Sequence, residues 1–424
     1  MKSKIGLSVI GGHIVECFDV TLYGFLAVQL APIFFPSVVK YTQNMATFGA
    51  FAAGFLARPL GALFFGYIGD KIGRKKPLLL SMILVAIPTL IIGLLPSYET
   101  LGLAAPIVLI SCRLAQGFFY GGELTGANLY VMENLDRKSL GRHTGALISW
   151  GVLGAVLASG LAAIVNLEGM PEWSWRLLFI AGGLSAVFVY LLRRNVLETM
   201  DFQKNQTESL NQKKEFPWVA LLRTHKSSLF LGFLVFGLTV MPLYLTTVFG
   251  NTIFMNDLGY SKSESMLLNM ATMIFSAVII IFSGRIADKI GFYKLIVYGM
   301  SLTGLVAVPA FYLLTMDRVS LWQVLLFIIS LNGAGSIING CISAYIGELF
   351  PVYCRYSGLA FCLTVGGALL GGTTPSMAQF LQQHFHSLLA PGFLLMGLSL
   401  VTLCTLIFLH REKNLLAHKA RSCN

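Results

Sequence analysis

Charged side chains are scarce in this chain of 424 residues. Asp, Glu, Lys and Arg together make up 12% of it, about half of the roughly 25% found in soluble domains. Apolar residues make up 56%, so the composition excludes an ordinary soluble protein and favours one embedded in lipid. The net charge of +11 does not indicate a nucleic-acid partner, because the basic residues lie in short loops between apolar runs.

Motifs for catalysis and for metal binding are also missing. The seven cysteines include no CxxC spacing, and the chain has no HExxH or GxSxG pattern, so we expect no enzyme activity, no cofactor and no metal site. His384 and His386 lie two residues apart, a weak signal for a metal ligand. The apolar stretch from residue 5 to 35 is too long for a signal peptide and is interrupted by Glu16 and Asp19, which predicts an uncleaved first span.

Long apolar segments are what the chain has in abundance. A membrane-spanning helix needs ~20 mainly apolar residues, and twelve such segments begin near residues 5, 43, 77, 101, 141, 174, 227, 262, 293, 320, 354 and 388. The one long polar interval between them, residues 196–226, divides them six and six. We therefore predict an all-α membrane protein with a first six-helix bundle over residues 1–195, a linker over 196–226 and a second bundle over 227–424.

The positive charges are distributed unevenly across the predicted membrane. Of the 30 Lys and Arg residues, 24 lie in the termini, the linker and the loops on the same side as the linker. Lys and Arg accumulate in cytoplasmic loops. We therefore expect both termini and the linker in the cytoplasm of a multi-pass plasma-membrane protein, such as one of a bacterial inner membrane, and we expect it to be a monomer.

A short charged segment occurs twice. The first copy runs from Gly66 through Asp70 to Arg74, and the second begins at Gly284 and contains Asp288 at the matching place, 218 positions later. Because this offset is about half of the chain, it indicates an internal duplication of the kind that builds transporters from two equivalent bundles.

These segments resemble the signature that the major facilitator superfamily carries between its second and third helices and again between its eighth and ninth. Together with Arg58-Pro59-Leu60-Gly61, they resemble the proton-coupled metabolite symporters of that superfamily. The resemblance implies a cytoplasmic gating latch, in which an Asp caps a neighbouring helix and an Arg pairs with an acid. The residues implied are Gly66, Asp70, Arg74, Glu133 and Asp136 in the first half, and Asp288, Glu348 and Arg355 in the second. Phe292 replaces the Arg in the second copy.

Ionisable residues in the middle of apolar segments are concentrated in helices 1 and 4. Placing such a residue in mid-membrane costs at least ~2.5 kcal/mol, so it needs a partner or a wet cavity. At ~100° per residue, Gly12, Glu16, Asp19 and Tyr23 share one face of helix 1. Helix 4 contains Arg113-Leu-Ala-Gln116-Gly117 followed by Gly121-Gly122-Glu123, which resembles the RxxQGxxxGGE signature of the same symporters.

Arg113 requires a nearby carboxylate because its side chain stays charged, and Asp19 and Glu16 are the candidates. Our hypothesis is that protonation of Asp19 frees Arg113 for a substrate carboxylate. The alternative is an ion pair that only locks helices together, and for Glu16 the two interpretations are equally supported. Glu123, ~15 Å from Arg113 along the helix, is included as a proton-coupling candidate at another level.

The second half has no matching buried acids, so proton handling is assigned to the first half. Substrate-binding candidates from both halves follow in order: Tyr23, Arg113, Gln116, Tyr244, Asn251, Asn269 and Asn332. Helix-to-helix hydrogen bonding is the alternative use of each polar residue. We predict a secondary transporter that takes up a small polar metabolite, a zwitterionic osmolyte or an organic carboxylate, together with protons. The alternatives are a facilitator or a proton-driven exporter of a small organic acid or siderophore and, from another class, a membrane receptor.

Overall fold

The computed structural model describes residues 3–37, 40–72, 75–134, 137–193, 221, 223–316, 318–350 and 355–422. We number the twelve main helical segments of the described residues α1 to α12. Those of the first half are α1 (Ser3–Phe34), α2 (Lys40–Leu56 and Arg58–Ile72), α3 (Lys75–Leu94), α4 (Ala104–Tyr120 and Glu123–Asn134), α5 (Leu140–Val165) and α6 (Trp175–Arg193).

The second half contains the other six segments. They are α7 (Lys226–Tyr244, continuing to Asp257), α8 (Lys262–Ile290), α9 (Phe292–Tyr312), α10 (Leu321–Asn339 and Ile342–Glu348), α11 (Arg355–Gly366, continuing to Phe385) and α12 (Ala390–Ser422). A short helix, Tyr98–Leu101, connects α3 to α4. Within the described residues, eleven helices are long and apolar enough to cross a membrane, and α3 supplies a shorter apolar stretch, Leu79–Leu94. The predicted all-α architecture of twelve apolar helices is confirmed, whereas the exact domain bounds stay a prediction.

Two of these segments contain π-helical turns. In α7 the wider turns cover Leu245–Phe249 and Ile253–Asp257, and in α11 they cover Gly367–Gly372. Such turns are rare and occur frequently at functional sites. Both segments contact the first half at these turns, α7 against α1 and α11 against α2.

The hydrophobic interior consists of two clusters. The first is built mainly from α1 to α6 and the second almost entirely from α7 to α12. Tyr244, Val248, Met266 and Met273 of the second half belong to the first cluster, so the two halves pack directly against each other around their centre.

At the end of the bundle that carries the duplicated segments, the halves approach through glycine. A Cβ atom on Gly145 of α5 would lie 2.9 Å from the carbonyl oxygen of Gly340 and 3.0 Å from that of Ile280, and Gly284 of α8 lies against Gly141 equally closely. Only residues without side chains permit this backbone approach. At the opposite end, the Ser159 hydroxyl donates to the Met266 carbonyl at 2.5 Å and the Ser263 hydroxyl to that of Ala163 at 3.2 Å. The described parts of the two halves therefore touch at both ends.

Candidate functional site

Asp19 lies in the middle of α1 and is only 1% exposed. Its Oδ2 accepts hydrogen bonds from Gln116 Nε2 at 2.7 Å, Tyr120 Oη at 3.2 Å and Thr89 Oγ1 at 3.2 Å. Its Oδ1 is buried and has no hydrogen-bond partner. The carboxyl group thus has one oxygen fixed by α3 and α4 and one oxygen available for a proton.

Arg113 of α4 is 2% exposed and does not contact Asp19 directly. Its Nη1 donates to Gln116 Oε1 at 2.9 Å, and the amide of the same Gln116 donates to Asp19. The direct pairing expected from the sequence is therefore corrected: the described residues contain no Asp19–Arg113 ion pair, because the Gln116 amide lies between the two groups and satisfies both. Arg113 Nε is buried without a partner.

The Arg113 guanidinium packs against the aromatic ring of Tyr23. Its central carbon lies 4.5 Å from the centre of the Tyr23 ring, within the range of a cation–π contact. Gly54 of α2 makes space for the group, since a Cβ there would lie 2.9 Å from Arg113 Nη2. On α4, Gln116 and Tyr120 are four residues apart and so share one helix face, which explains why both reach Asp19.

Glu16 is 3% exposed and lies one turn before Asp19 on α1. Its Oε2 is 3.3 Å from Nδ1 of His13, which is itself 4% exposed. Of the two carboxylates predicted as partners of Arg113, Asp19 is linked to the arginine through Gln116 and Glu16 is engaged by His13.

Three aromatic side chains meet between the halves next to the polar network. Ring centres of Phe51 and Phe55 of α2 lie 5.4 Å and 5.5 Å from that of Tyr244 of α7. The Arg58 guanidinium lies 4.3 Å from the Phe55 ring. A small closed pocket is adjacent, and Thr21, Phe51 and Tyr244 are among its lining residues. The pocket lies between the two halves.

The predicted substrate-binding asparagines have protein partners. Asn251 of α7 donates to the Phe25 carbonyl of α1 at 3.2 Å, and its Oδ1 accepts from Asn269 Nδ2 of α8 at 3.1 Å. Asn332 of α10 donates to Thr272 and Ser276 of α8. All three are buried and serve helix-to-helix bonding in this conformation, the alternative use considered for them above.

The second predicted latch is visible at the α8 end. Asp288 Oδ1 accepts from the Gly141 amide at 2.7 Å and its Oδ2 from the Arg142 amide at 2.9 Å. These amides are the free N–H groups of the first turn of α5, where negative charge is favoured. Arg355 donates through Nε to the carbonyls of Gly347 and Phe350.

Part of the predicted set lies outside the described residues. Arg74 and Asp136 are not described at all, and neither are the side chains of Asp70, Glu123 and Glu133. Gly66 lies within Arg58–Ile72 of α2, and Glu348 ends the Ile342–Glu348 piece of α10 with its side chain exposed. The roles predicted for these residues stay predictions.

Sequence reasoning missed two polar partners in the site. Thr89 has no motif around it. Tyr120 follows Gln116 by one helical turn, so its spacing was the available signal. The structure joins residues of α1, α3 and α4 into a buried charged network beside the interface between the two halves, an arrangement typical of membrane transporters.

Comparisons with known proteins agree with this class. The Major Facilitator Superfamily family model matches residues 14–372 and 233–421. The chain is 33% identical to the proline/betaine transporter of Salmonella typhimurium over 95% of this chain and 82% of that protein, and 29% identical to the citrate-proton symporter of Klebsiella pneumoniae over 99% and 95%. A solved structure of the proton:xylose symporter XylE superimposes with a TM-score of 0.72 at 16% identity, covering 96% of this chain and 95% of that one. The chain belongs to the Major Facilitator Superfamily and is a multi-pass membrane transporter.

Proposed function

We propose that this transporter is a symporter that imports a small carboxylate-bearing metabolite together with protons, by alternating access to a site between its halves. The observation that carries the proposal is the buried chain Arg113–Gln116–Asp19, in which Arg113 Nε and Asp19 Oδ1 both lack partners. The substrate would accept a hydrogen bond from the unpaired Arg113 Nε, and the proton would bind to the unpaired Asp19 Oδ1.

When Asp19 is ionised, Gln116 connects its carboxylate to the Arg113 guanidinium. The Gln116 amide donates to the carboxylate and accepts from Arg113, so the negative charge of Asp19 orients the amide and holds the arginine. Hydrogen bonds to charged groups are worth ~1.5 to 3 kcal/mol when buried. In this state Arg113 is restrained and binds a substrate carboxylate weakly.

Protonation of Asp19 at Oδ1 removes that negative charge. The attraction that holds Gln116 and Arg113 then falls, and the guanidinium on the Tyr23 ring is left as a buried cation that requires an anion. A substrate carboxylate satisfies the Nε group and the charge together. Proton and substrate thus favour each other's binding, which is the thermodynamic requirement for coupling.

The chemistry next to Arg113 favours a small zwitterion. The aromatic group of Phe51, Phe55 and Tyr244 offers rings to a substrate cation, and quaternary ammonium groups bind well to aromatic faces. The named relatives include both proline/betaine transporters and citrate symporters. We propose a betaine or an imino acid, since a tricarboxylate would need more cationic partners than Arg113 with Arg58 supplies.

Asp19→Asn tests the coupling mechanism. The amide accepts hydrogen bonds at the same place but cannot release a proton, so we expect reconstituted vesicles to lose uphill accumulation while substrate exchange is partly kept. Labelled glycine betaine, proline and citrate are offered separately to the wild-type protein with an inward proton gradient, with and without an uncoupler. Full uphill transport by Asp19→Asn would contradict the mechanism.

The same vesicles distinguish the alternative functions. Uptake that only equilibrates the substrate and persists with the uncoupler indicates a facilitator. Proton-driven extrusion against an inward-directed substrate gradient indicates an exporter. We also propose a cytoplasmic location for both termini, on the basis of the Lys and Arg distribution. A protease cleavage site inserted after Asn424 should be cut only in inside-out vesicles.

A further inference from the structure

We propose that His13 and Glu16 form a second proton-binding site, through which the proton that leaves Asp19 reaches the cytoplasmic side. The inference rests on the proposed proton-coupled function and adds to it a site on the exit path. The observation behind it is a pair of buried ionisable side chains that the substrate network does not use.

The pair is fully inside the bundle. His13 and Glu16 are 4% and 3% exposed, and Nδ1 and Oε2 are 3.3 Å apart. Buried ion pairs often serve to tie two helices together, but both of these residues belong to α1 and are one turn apart. The pair therefore connects no helices, and its burial within a membrane span marks a functional residue by default.

The His13–Glu16 pair lies on α1 between the central pocket and the N-terminal end of the helix. Thr21 lines the pocket, and Cys17 and His13 precede it at intervals of four residues on the same helix face. Asp19, Glu16 and His13 follow each other at intervals of three, with ~4.5 Å of helix rise per step. A proton on Asp19 Oδ1 thus has the Glu16 carboxyl as the next acceptor along α1 and the His13 ring after it.

Few ionisable groups face the His13 ring. Its facing titratable groups are Glu16 and Cys17, whose sulfur lies 3.8 Å from Nε2. From α5, Gly151 packs directly against the ring and would overlap it if a Cβ were added, so this helix brings no charge to the imidazole. The 3.3 Å between His13 Nδ1 and Glu16 Oε2 is short enough for a proton to pass between them.

The transfer balances without any further reactant. Asp19 gives its proton to the Glu16 carboxylate while His13 is a neutral imidazole with its hydrogen on Nε2. Glu16 passes a proton to the bare Nδ1, 3.3 Å from its Oε2, and the imidazolium so formed loses its Nε2 proton to water on the cytoplasmic side when the halves open there. A flip of the ring then turns a bare nitrogen toward Glu16 again, and one proton has passed from Asp19 to the cytoplasm.

The test uses His13→Gln, which keeps a hydrogen-bonding group near Glu16 but cannot bind a proton. Purified full-length protein is reconstituted, and the probe is labelled glycine betaine, replaced by proline or citrate if the screen above finds one of those transported instead. We expect net uptake driven by a proton gradient to fall at least tenfold, with proton entry falling in parallel on a lumenal pH dye. Counterflow between equal substrate pools, which requires no proton release, should stay above half of the wild-type rate.

The matched control is His143→Gln, because the His143 ring of α5 is bonded only locally, to the Ser139 carbonyl at 2.7 Å, and lies outside the site. It should leave both rates unchanged. Net uptake by His13→Gln at the wild-type rate and with the wild-type dependence on lumenal pH would overturn the inference, and so would an equal loss of uptake and counterflow, which signals a structural role. If His13→Gln does not fold, Glu16→Gln takes its place under the same criteria. Absence of proton-driven uptake in the wild type would instead refute the proposed function itself.

Discussion

Arg113 is the central residue of the site. An amide group and an aromatic ring contact its guanidinium, where the sequence predicted a carboxylate. Gln116 Oε1 accepts from it at 2.9 Å, and the Tyr23 ring lies 4.5 Å from its guanidinium carbon. The Tyr23 hydroxyl makes only a long hydrogen bond, 3.4 Å, to the Thr47 carbonyl. The ring and the hydroxyl of Tyr23 can therefore be tested separately.

We expect Tyr23→Phe to transport within about twofold of the wild type and Tyr23→Leu to lose roughly tenfold or more in substrate affinity. A desolvated cation–π contact is worth about 2 kcal/mol, and ~1.4 kcal/mol corresponds to a factor of ten. Binding of labelled substrate to detergent-purified protein gives both affinities. If Tyr23→Phe and Tyr23→Leu are equally impaired, the hydroxyl rather than the ring holds the site together.

The sequence predicts which charged residues are buried in the site. It does not predict that the Gln116 amide connects them. Asp19 and Arg113 are conspicuous because each interrupts an apolar run, so their burial and their proximity follow from the cost of charge in lipid. The Gln116 bridge does not follow, because it depends on how far α1 and α4 stand apart. Thr89 is a further case, since a hydroxyl in an apolar helix is just as often bonded to its own backbone.

At the scale of elements, α7 carries the least predictable structure. Its π-helical turns flank Asn251, and the sequence there shows no motif that separates a π turn from an ordinary helical one. The consequence is specific: Asn251 contacts the Phe25 carbonyl of α1 and thus joins the two halves. Asn332, equally buried, contacts Thr272 and Ser276 within the second half.

We expect Asn251→Ala to favour separation of the halves at the outer end and Asn332→Ala to leave it unchanged. Loss of a hydrogen bond worth ~1 kcal/mol should change the ratio of open to closed molecules about fivefold. Spin labels replace Glu168 and Lys262, which are exposed next to α5 and α8, in a background without native cysteines. Distance distributions between the labels give the populations, and equal effects of the two variants would refute a latch specific to Asn251.

For the whole molecule, the duplicated sequence predicts two halves but not their relation in space. Alternating access requires conformations separated by only a few kcal/mol, so no local signal selects one of them. In the described structure both ends are in contact, at Gly145 and Gly340 on one side and at Ser159 and Met266 on the other. The described residues therefore hold the two halves together at both ends in this conformation.

Asp288 lies where the two halves meet at the end of the molecule that carries the duplicated segments. Its carboxylate accepts from the amides of Gly141 and Arg142 across the two halves, and hydrogen bonds to charged groups contribute ~1.5 to 3 kcal/mol each. Asp288→Asn loses the charge and half of the acceptor capacity. We therefore expect an increase of roughly tenfold or more in the population that is open at this end.

Spin labels at Arg142 and Lys289, exposed on opposite sides of that contact, measure the opening directly. The matched control is Asp257→Asn, because Asp257 ends α7 on the opposite side of the membrane. It should leave the Arg142–Lys289 distances unchanged, while Asp288→Asn adds a longer component. Since an equilibrium moved toward one open state is moved away from the other, the Glu168–Lys262 distances should shorten or stay the same in Asp288→Asn. Simultaneous lengthening at both ends would mean that the halves loosen rather than rock, and would exclude Asp288 as a gating residue.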